Sequence, residues 1–314
     1  MAQFQVYNYQ FRQIVNNGNR KDLFGYIPVY MSAEEAFSKK QELFQQIFEE
    51  DYNHVEGKEL YFKKRKYLKI YDHMHLMPPK DGIIVMRIAN KKTVSRTNKN
   101  FQKTNEDDYA NCLVIIDNRP GIQRIAIEVK KSVFASDTIL CNIVSDTLND
   151  RLRRYSLRLE LMHLQDPKDF WTFINDKKSY PMGFYKIKFH LPYLNLERLQ
   201  KKYNSLTKQL RENYNGKLDW EITAQEGGKL NISPENKFQK AQIDYFMKDL
   251  GGDGLELIPN DNKRKSIKVG KGSYKYMWIE NSIFDYLKRE MEDKSLFESG
   301  ALKVIKIKMK DGID

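Results

Sequence analysis

Cysteine is scarce in this chain: Cys112 and Cys141 are the only two in 314 residues, and both fall inside apolar segments. That excludes a disulfide framework, and the two thiols read as small buried side chains in a reducing compartment. Long hydrophobic runs are missing as well. No stretch approaches the roughly 18 consecutive apolar residues that a membrane span needs. The N-terminus, MAQFQVYNYQFRQ, lacks a basic segment followed by a continuous apolar run, so no secretory signal is visible. The expectation is a cytoplasmic protein without a membrane partner. Histidine is sparse, at five residues. His73-Met74-His75 puts two imidazoles on one face of a strand, but no neighbouring Cys or carboxylate cluster completes a zinc set, and the pair reads as polar surface. The glycine-containing run VGKGSYKY at 269–276 lacks the Walker spacing, and no Ser, Cys or His sits in a nucleophile elbow or protease signature. Internal repeats and low-complexity tracts are absent.

What the chain has in excess is positive charge. Lys and Arg number 54 against 42 Asp and Glu, a formal net charge of +12. With 40% hydrophobic residues, 19 Tyr and 17 Phe, it has the makings of folded cores. A basic surface on a globular protein favours an anionic partner, either nucleic acid or an acidic protein.

Along the chain, strand and helix patterns alternate irregularly, which predicts an α+β fold: two mixed sheet-and-helix regions, 1–178 and 179–314, with mostly antiparallel strands and helices packed on one face. Strands are expected at 3–12, 24–31, 58–72, 83–89 and 157–164. A helix is expected from Ala33 to Glu50, where Ser32 and Glu35 have capping-box spacing and Phe37, Phe44, Ile47 and Phe48 recur at helical intervals. A second runs from Ser136 or Asp137 to about Tyr155, and Asp166-Pro167 starts a third. The second region is expected to hold strands at 184–191, 219–224, 229–232, 254–258, 265–269, 274–280 and 301–310. Its helices are a long one through Leu196 to Leu210, one after Ser233-Pro234-Glu235, and one at 282–292. Lys186, Lys188 and His190 share one strand face, as do Lys306, Lys308 and Lys310, an arrangement that protects an exposed sheet edge.

The firmest local feature is CLVIIDNRPGIQRIAIEVKK at 112–131. Two Val- and Ile-rich runs flank Arg119-Pro120-Gly121-Ile122, where Pro presets the first central dihedral of a turn and Gly supplies the positive φ of the second. This predicts a β-hairpin in which opposed residue numbers sum to 241, so that Asp117 faces Arg124 and Glu128 faces Leu113. Its second strand ends in Glu128-Val129-Lys130, an acidic-x-Lys pattern that resembles the PD-(D/E)xK nucleases. The resemblance rests on Glu128 and Lys130, with Asp117 or Asp108 as partner carboxylate. It implies Mg²⁺ or Mn²⁺ held by the carboxylates and a lysine that activates water; otherwise no cofactor is expected. The hairpin register sets Asp117 four residues along the ladder from Glu128, roughly 13 Å, too far for one metal, and makes Asp117 and Arg124 a cross-strand pair.

The basic residues cluster. Arg87, Lys91, Lys92, Arg96, Lys99 and Lys103 follow one another without an acidic residue among them, most of them in what reads as a polar loop. Further clusters are Lys63 to Lys69, then Arg151, Arg153, Arg154 and Arg158 at a helix end, and Lys263, Arg264 and Lys265. Such groups supply the phosphate contacts of a nucleic-acid-binding protein, a component of a larger bacterial or phage-related system such as antiviral defence. The alternatives are the metal-dependent nuclease just described and an interaction subunit with an acidic protein partner.

Overall fold

The computed structural model describes residues 1–14, 31–63, 69–191, 218–248, 255–261, 265–269, 274–292 and 300–311. The fold is α+β, with mainly antiparallel sheets and helices. Nearly all of the strand expected at 24–31 and all of the Leu196 to Leu210 helix lie outside the described residues.

In chain order the elements are β1 (Ala2–Gln13), α1 (Ala33–Ser38), α2 (Lys40–Tyr52), β2 (Phe62–Lys63), β3 (Ile70–Tyr71), β4 (His73–His75), β5 (Ile83–Thr97), β6 (Lys103–Asp117) and β7 (Arg124–Glu128). Then come α3 (Asp137–Leu152), β8 (Leu157–His163), α4 (Pro167–Ile174), β9 (Phe184–Leu191), β10 (Leu218–Thr223) and α5 (Lys237–Lys248). The series closes with β11 (Leu255–Pro259), β12 (Ile267–Lys268), β13 (Tyr276–Ile279), α6 (Asn281–Glu292) and α7 (Ala301–Asp311). They form two compact units. One comprises Met1–Gln5, Phe11–Glu160 and Tyr276–Asp314; the other comprises Val6–Gln10 and Leu161–Lys275.

The large sheet runs β13-β1-β7-β6-β5-β4, with β8 also paired to β1. The hairpin register is as the turn chemistry demands: Val114 opposes Ile127, Ile116 opposes Ile125 and Asp117 opposes Arg124. Gly121 has φ of 78°, and the Ile122 N–H donates to the Arg119 carbonyl at 3.0 Å, closing the turn. Both faces of the hairpin are buried. Cys112, Val114, Ile116, Ile125 and Ile127 are covered, and so are Leu113, Ile115, Asp117, Ala126 and Glu128 on the opposite face. An unbroken apolar run is what a strand covered on both sides requires. Helix α3 packs on β7 and β2, burying Leu140, Ile143, Val144 and Leu148 at helical spacing. Cys112 and Cys141 are both buried.

Ser32 accepts the Glu35 N–H at 3.1 Å, as the capping box predicts. The helix it starts is interrupted at Lys39, whose ψ of 15° departs from helical geometry and divides α1 from α2. The expected 58–72 strand contributes only the short β2 and β3, paired through Phe62–Tyr71 and Lys63–Ile70.

Three expectations are corrected. Residues 301–310 form helix α7, not a strand. VIKIKMK alternates like a strand, but the buried positions are Ala301, Leu302, Ile305 and Met309, a helical stripe, while Ile307 is exposed. Residues 229–232 are irregular; Leu230 still donates its N–H to the Phe184 carbonyl at 2.8 Å. The third concerns β9, which is internal in the order β10-β9-β11-β12, so its lysines guard no edge. They pair with acids on neighbouring strands: Lys186 and Lys188 both reach Glu221, at 2.7 and 2.8 Å.

Beneath that four-stranded sheet, Phe170 of α4 and Ile243, Phe246 and Met247 of α5 pack with Ile187, Phe189, Leu255 and Leu257. Asp166 caps α4 by accepting the Lys168 N–H at 3.0 Å, with Pro167 in the first turn. Among the described residues no helix is long and apolar enough to cross a membrane.

Candidate functional site

The segment read as a basic loop is instead the outer half of a long two-stranded ribbon. β5 and β6 pair without interruption from Ile83–Asp117 to Thr97–Lys103. Their inner halves are buried in the sheet, whereas every residue from Lys91 to Tyr109 is exposed. The tip is tied by Asn98, whose side-chain oxygen accepts the N–H groups of Asn100 and Gln102 at 2.9 and 3.0 Å. Phe101, with φ of 59°, stands 90% exposed there.

Register decides which cations of the ribbon are compensated. Lys91 forms an ion pair with Asp107 at 2.8 Å and lies over the Tyr109 ring. The hydrogen bond that Lys91 donates to Asp107, then the one it shares with Tyr109, raises the Lys91 pKa, and Lys91 lowers that of Asp107. Lys92 donates to the Ser132 carbonyl at 3.0 Å, and Arg96 lies 3.8 Å from Glu106. The three acids Glu106, Asp107 and Asp108 all sit on the proximal part of β6. Toward the tip, Ser95 to Asn105 carries Arg96, Lys99 and Lys103 with Ser, Thr, Asn and Gln donors, and no acid.

A second basic group adjoins the ribbon base. Lys69 donates to Asn90 at 2.7 Å, Lys63 pairs with Asp150 of α3 at 3.3 Å, and Arg151 donates to the carbonyls of Gly57 and Lys58. Interactions thus run from the ribbon through the β2–β3 segment to the end of α3. Burial, followed by the nearby Arg154 charge, lowers the Arg151 pKa. Arg153 and Arg158 are exposed and Arg154 is half-buried. Lys265 is exposed, in the other unit, while Lys263 and Arg264 lie outside the described residues.

Of the nuclease pattern, Glu128 and Lys130 meet, but neither candidate partner carboxylate joins them: Asp117 opposes Arg124, four residues along the ladder. Glu128 is buried; its Oε2 accepts the Leu113 N–H at 2.9 Å and its Oε1 pairs with Lys130 at 2.9 Å. Asp117 is fully buried in the grip of Arg119, with N–H···O distances of 2.9 Å from Nε and 2.6 Å from a terminal nitrogen. Arg119 also donates to the Lys306 carbonyl at 2.8 Å, and Arg124 to the carbonyls of Met309 and Lys310 at 2.6 and 2.8 Å, so the hairpin arginines tie down α7. Asp108, the other candidate partner, is exposed on the ribbon.

The His73-Met74-His75 pair, expected as polar surface without a carboxylate beside it, is instead partly buried and gathered with one, Asp51. His73 Nε2 and His75 Nε2 lie 2.8 and 2.7 Å from the same oxygen, Oδ2 of Asp51 in the last turn of α2. The other oxygen accepts the Leu60 N–H at 2.6 Å. Burial pushes the Asp51 carboxyl up, but the hydrogen bonds of His73, His75 and Leu60 outweigh it and hold the group well below the usual carboxylate range. The signal in the sequence is Asp51 itself, an acid falling on the stripe of Phe44, Ile47 and Phe48 that the helix buries.

No family model matches the chain, and searches of curated proteins and of solved structures likewise return no match.

Proposed function

We propose that the protein binds nucleic acid, with the distal β5–β6 ribbon as the reading element and a flanking phosphate contact from Arg153 and Arg154, just past α3, and Arg158 of β8. The observation that carries this reading is a two-stranded ribbon, exposed on all sides, whose outer eleven residues hold three cations and no acid. The major groove of B-form DNA, about 12 Å wide, admits a two-stranded ribbon, whereas the deep, narrow groove of A-form RNA does not. Seven residues of exposed strand from Lys91 to Thr97 reach roughly 23 Å at strand rise, enough to follow a groove. Hydroxyl and amide side chains between the cations suit base edges and phosphate oxygens, and the exposed Phe101 offers an apolar tip. Duplex DNA is therefore the favoured ligand.

Fluorescence anisotropy with a 25-base-pair DNA duplex, the matching RNA duplex and a single strand, across a salt series, tests this. Reversing Arg96, Lys99 and Lys103 to Glu is expected to weaken DNA binding and to flatten the slope of log K against log salt by about 2 to 3, near 0.9 for each phosphate no longer neutralised. Reversing Lys91, which is compensated by Asp107, has a smaller effect. Affinity and slope unchanged in the triple variant would overturn the proposal.

A further inference from the structure

The Asp51, His73 and His75 constellation is independent of the ribbon. Its ligand atoms all lie within 4.8 Å of one another. Two histidines one residue apart on β4 present both Nε2 atoms to one side, and α2 delivers a carboxylate from 22 residues upstream. Aromatic rings enclose them: Phe62 lies 4.9 Å from the His73 ring, and Tyr52 lies 5.7 Å from the His75 ring, centroid to centroid. Only 2% of the Asp51 side chain is exposed, against 18% for His73, so the His73 side is the route by which an ion and water enter.

A carboxylate this deeply buried needs a compensating positive charge. Two imidazole nitrogens and one carboxylate oxygen form a borderline donor set suited to zinc and its first-row neighbours rather than to calcium or magnesium. The present N···O separations are hydrogen-bond lengths. Tetrahedral metal–ligand bonds of about 2.0 to 2.2 Å set ligand atoms roughly 3.3 Å apart, so each N···O separation must open by about half an ångström.

We propose that Asp51, His73 and His75 bind a transition-metal dication of the zinc type, with water as fourth ligand, clamping the end of α2 onto β4. Each imidazole carries its proton on Nδ1 when Nε2 binds the metal. His75 Nδ1 is buried and has no partner among the described residues. Metal-bound histidines ordinarily donate that proton to an outer acceptor, whose removal costs 10- to 100-fold in affinity. The site is accordingly of micromolar rather than nanomolar affinity.

Untagged full-length protein, stripped with chelator and desalted, is titrated with Zn²⁺ by calorimetry and with Co²⁺ by visible absorption. One equivalent is expected, with the intense ligand-field bands of four-coordinate Co²⁺ and a melting temperature that rises with Zn²⁺ concentration. His73→Gln and His75→Gln, each checked for folding by circular dichroism, are expected to lose at least tenfold in affinity. Absence of stoichiometric binding at 100 μM Zn²⁺ and Co²⁺, or binding retained in both variants, overturns the proposal. If a variant fails to fold, the Co²⁺ spectrum of the unmodified protein decides the matter, since weak octahedral bands exclude the three-ligand set.

Discussion

Replacing Glu128 separates a structural carboxylate from a catalytic one. The side chain is buried and replaces a backbone partner: β6 and β7 pair as far as Val114–Ile127, and the next N–H, that of Leu113, donates to Glu128 Oε2 at 2.9 Å. Glu128→Ala strands that N–H in a buried position, which costs about 1 to 3 kcal/mol. The Lys130 ion pair adds less than about 1 kcal/mol, because the lysine side chain is 44% exposed. A total near 3 kcal/mol corresponds to a fall of roughly 6 to 12 °C in melting temperature. Glu128→Gln keeps an acceptor for Leu113 and loses only the charge, so about 1 kcal/mol is expected. Urea denaturation followed by circular dichroism measures both variants, and hydrogen exchange at the Leu113 amide reports the local bond, with protection lost in the Ala variant and largely kept in the Gln variant. A Glu128→Ala protein that melts within 1 °C of the parent, with Leu113 still protected, refutes the reasoning.

Arg119→Ala should destabilise by about 3 kcal/mol, since it releases the buried Asp117 and uncaps a carbonyl of α7; Arg119→Lys should not restore the loss, because a single ammonium cannot reproduce the two-point grip. A loss below 1 kcal/mol in urea denaturation contradicts this. Glu221 is held at a pKa of about 2, first by the Lys186 hydrogen bond and then by that of Lys188. A depressed carboxylate stabilises the fold above its unfolded pKa, near 4.3, and that contribution fades as pH falls toward 2. The side-chain carbon resonance should therefore titrate near 2 and return toward about 4.3 in a Lys186→Ala, Lys188→Ala protein; an unmoved midpoint refutes the pairing.

The elements legible in the sequence are those specified by local chemistry. Pro120-Gly121 sets a turn, and through it the register of every pair from Asp117–Arg124 to Val114–Ile127. Ser32 and Asp166 mark helix starts because their side chains take up N–H groups that the helix leaves free. Helix α7 resembles a strand in sequence because Lys at 306, 308 and 310 satisfies a period of two, while the burial of Leu302, Ile305 and Met309 obeys 3.6. Packing against the arginine-capped end of the hairpin selects the second pattern. The outer ribbon failed in the opposite sense. Exposed on both faces, it has no apolar alternation to read, and it forms because the buried inner halves of β5 and β6 fix a register that simply continues outward.

The same register decides which cations remain available, and this was beyond the reach of a charge count. Lys91 belongs to a run without acids, yet Asp107 lies 2.8 Å from it once β6 folds back, whereas the exposed Arg96 and Glu106 approach only to 3.8 Å. Charge along the chain overstates the basic surface near the sheet and leaves it intact toward the tip, where Lys99 and Lys103 have no acidic residue within the distal eleven positions. Asp51 follows the same logic with the signs exchanged. Alone on α2 it is an acid misplaced on an apolar stripe, and only the antiparallel pairing of β4 with β5 brings two imidazoles to its carboxylate. Long-range pairing thus converts charges that look solvated into compensated ones, and a histidine pair that looks like surface into a three-donor cluster.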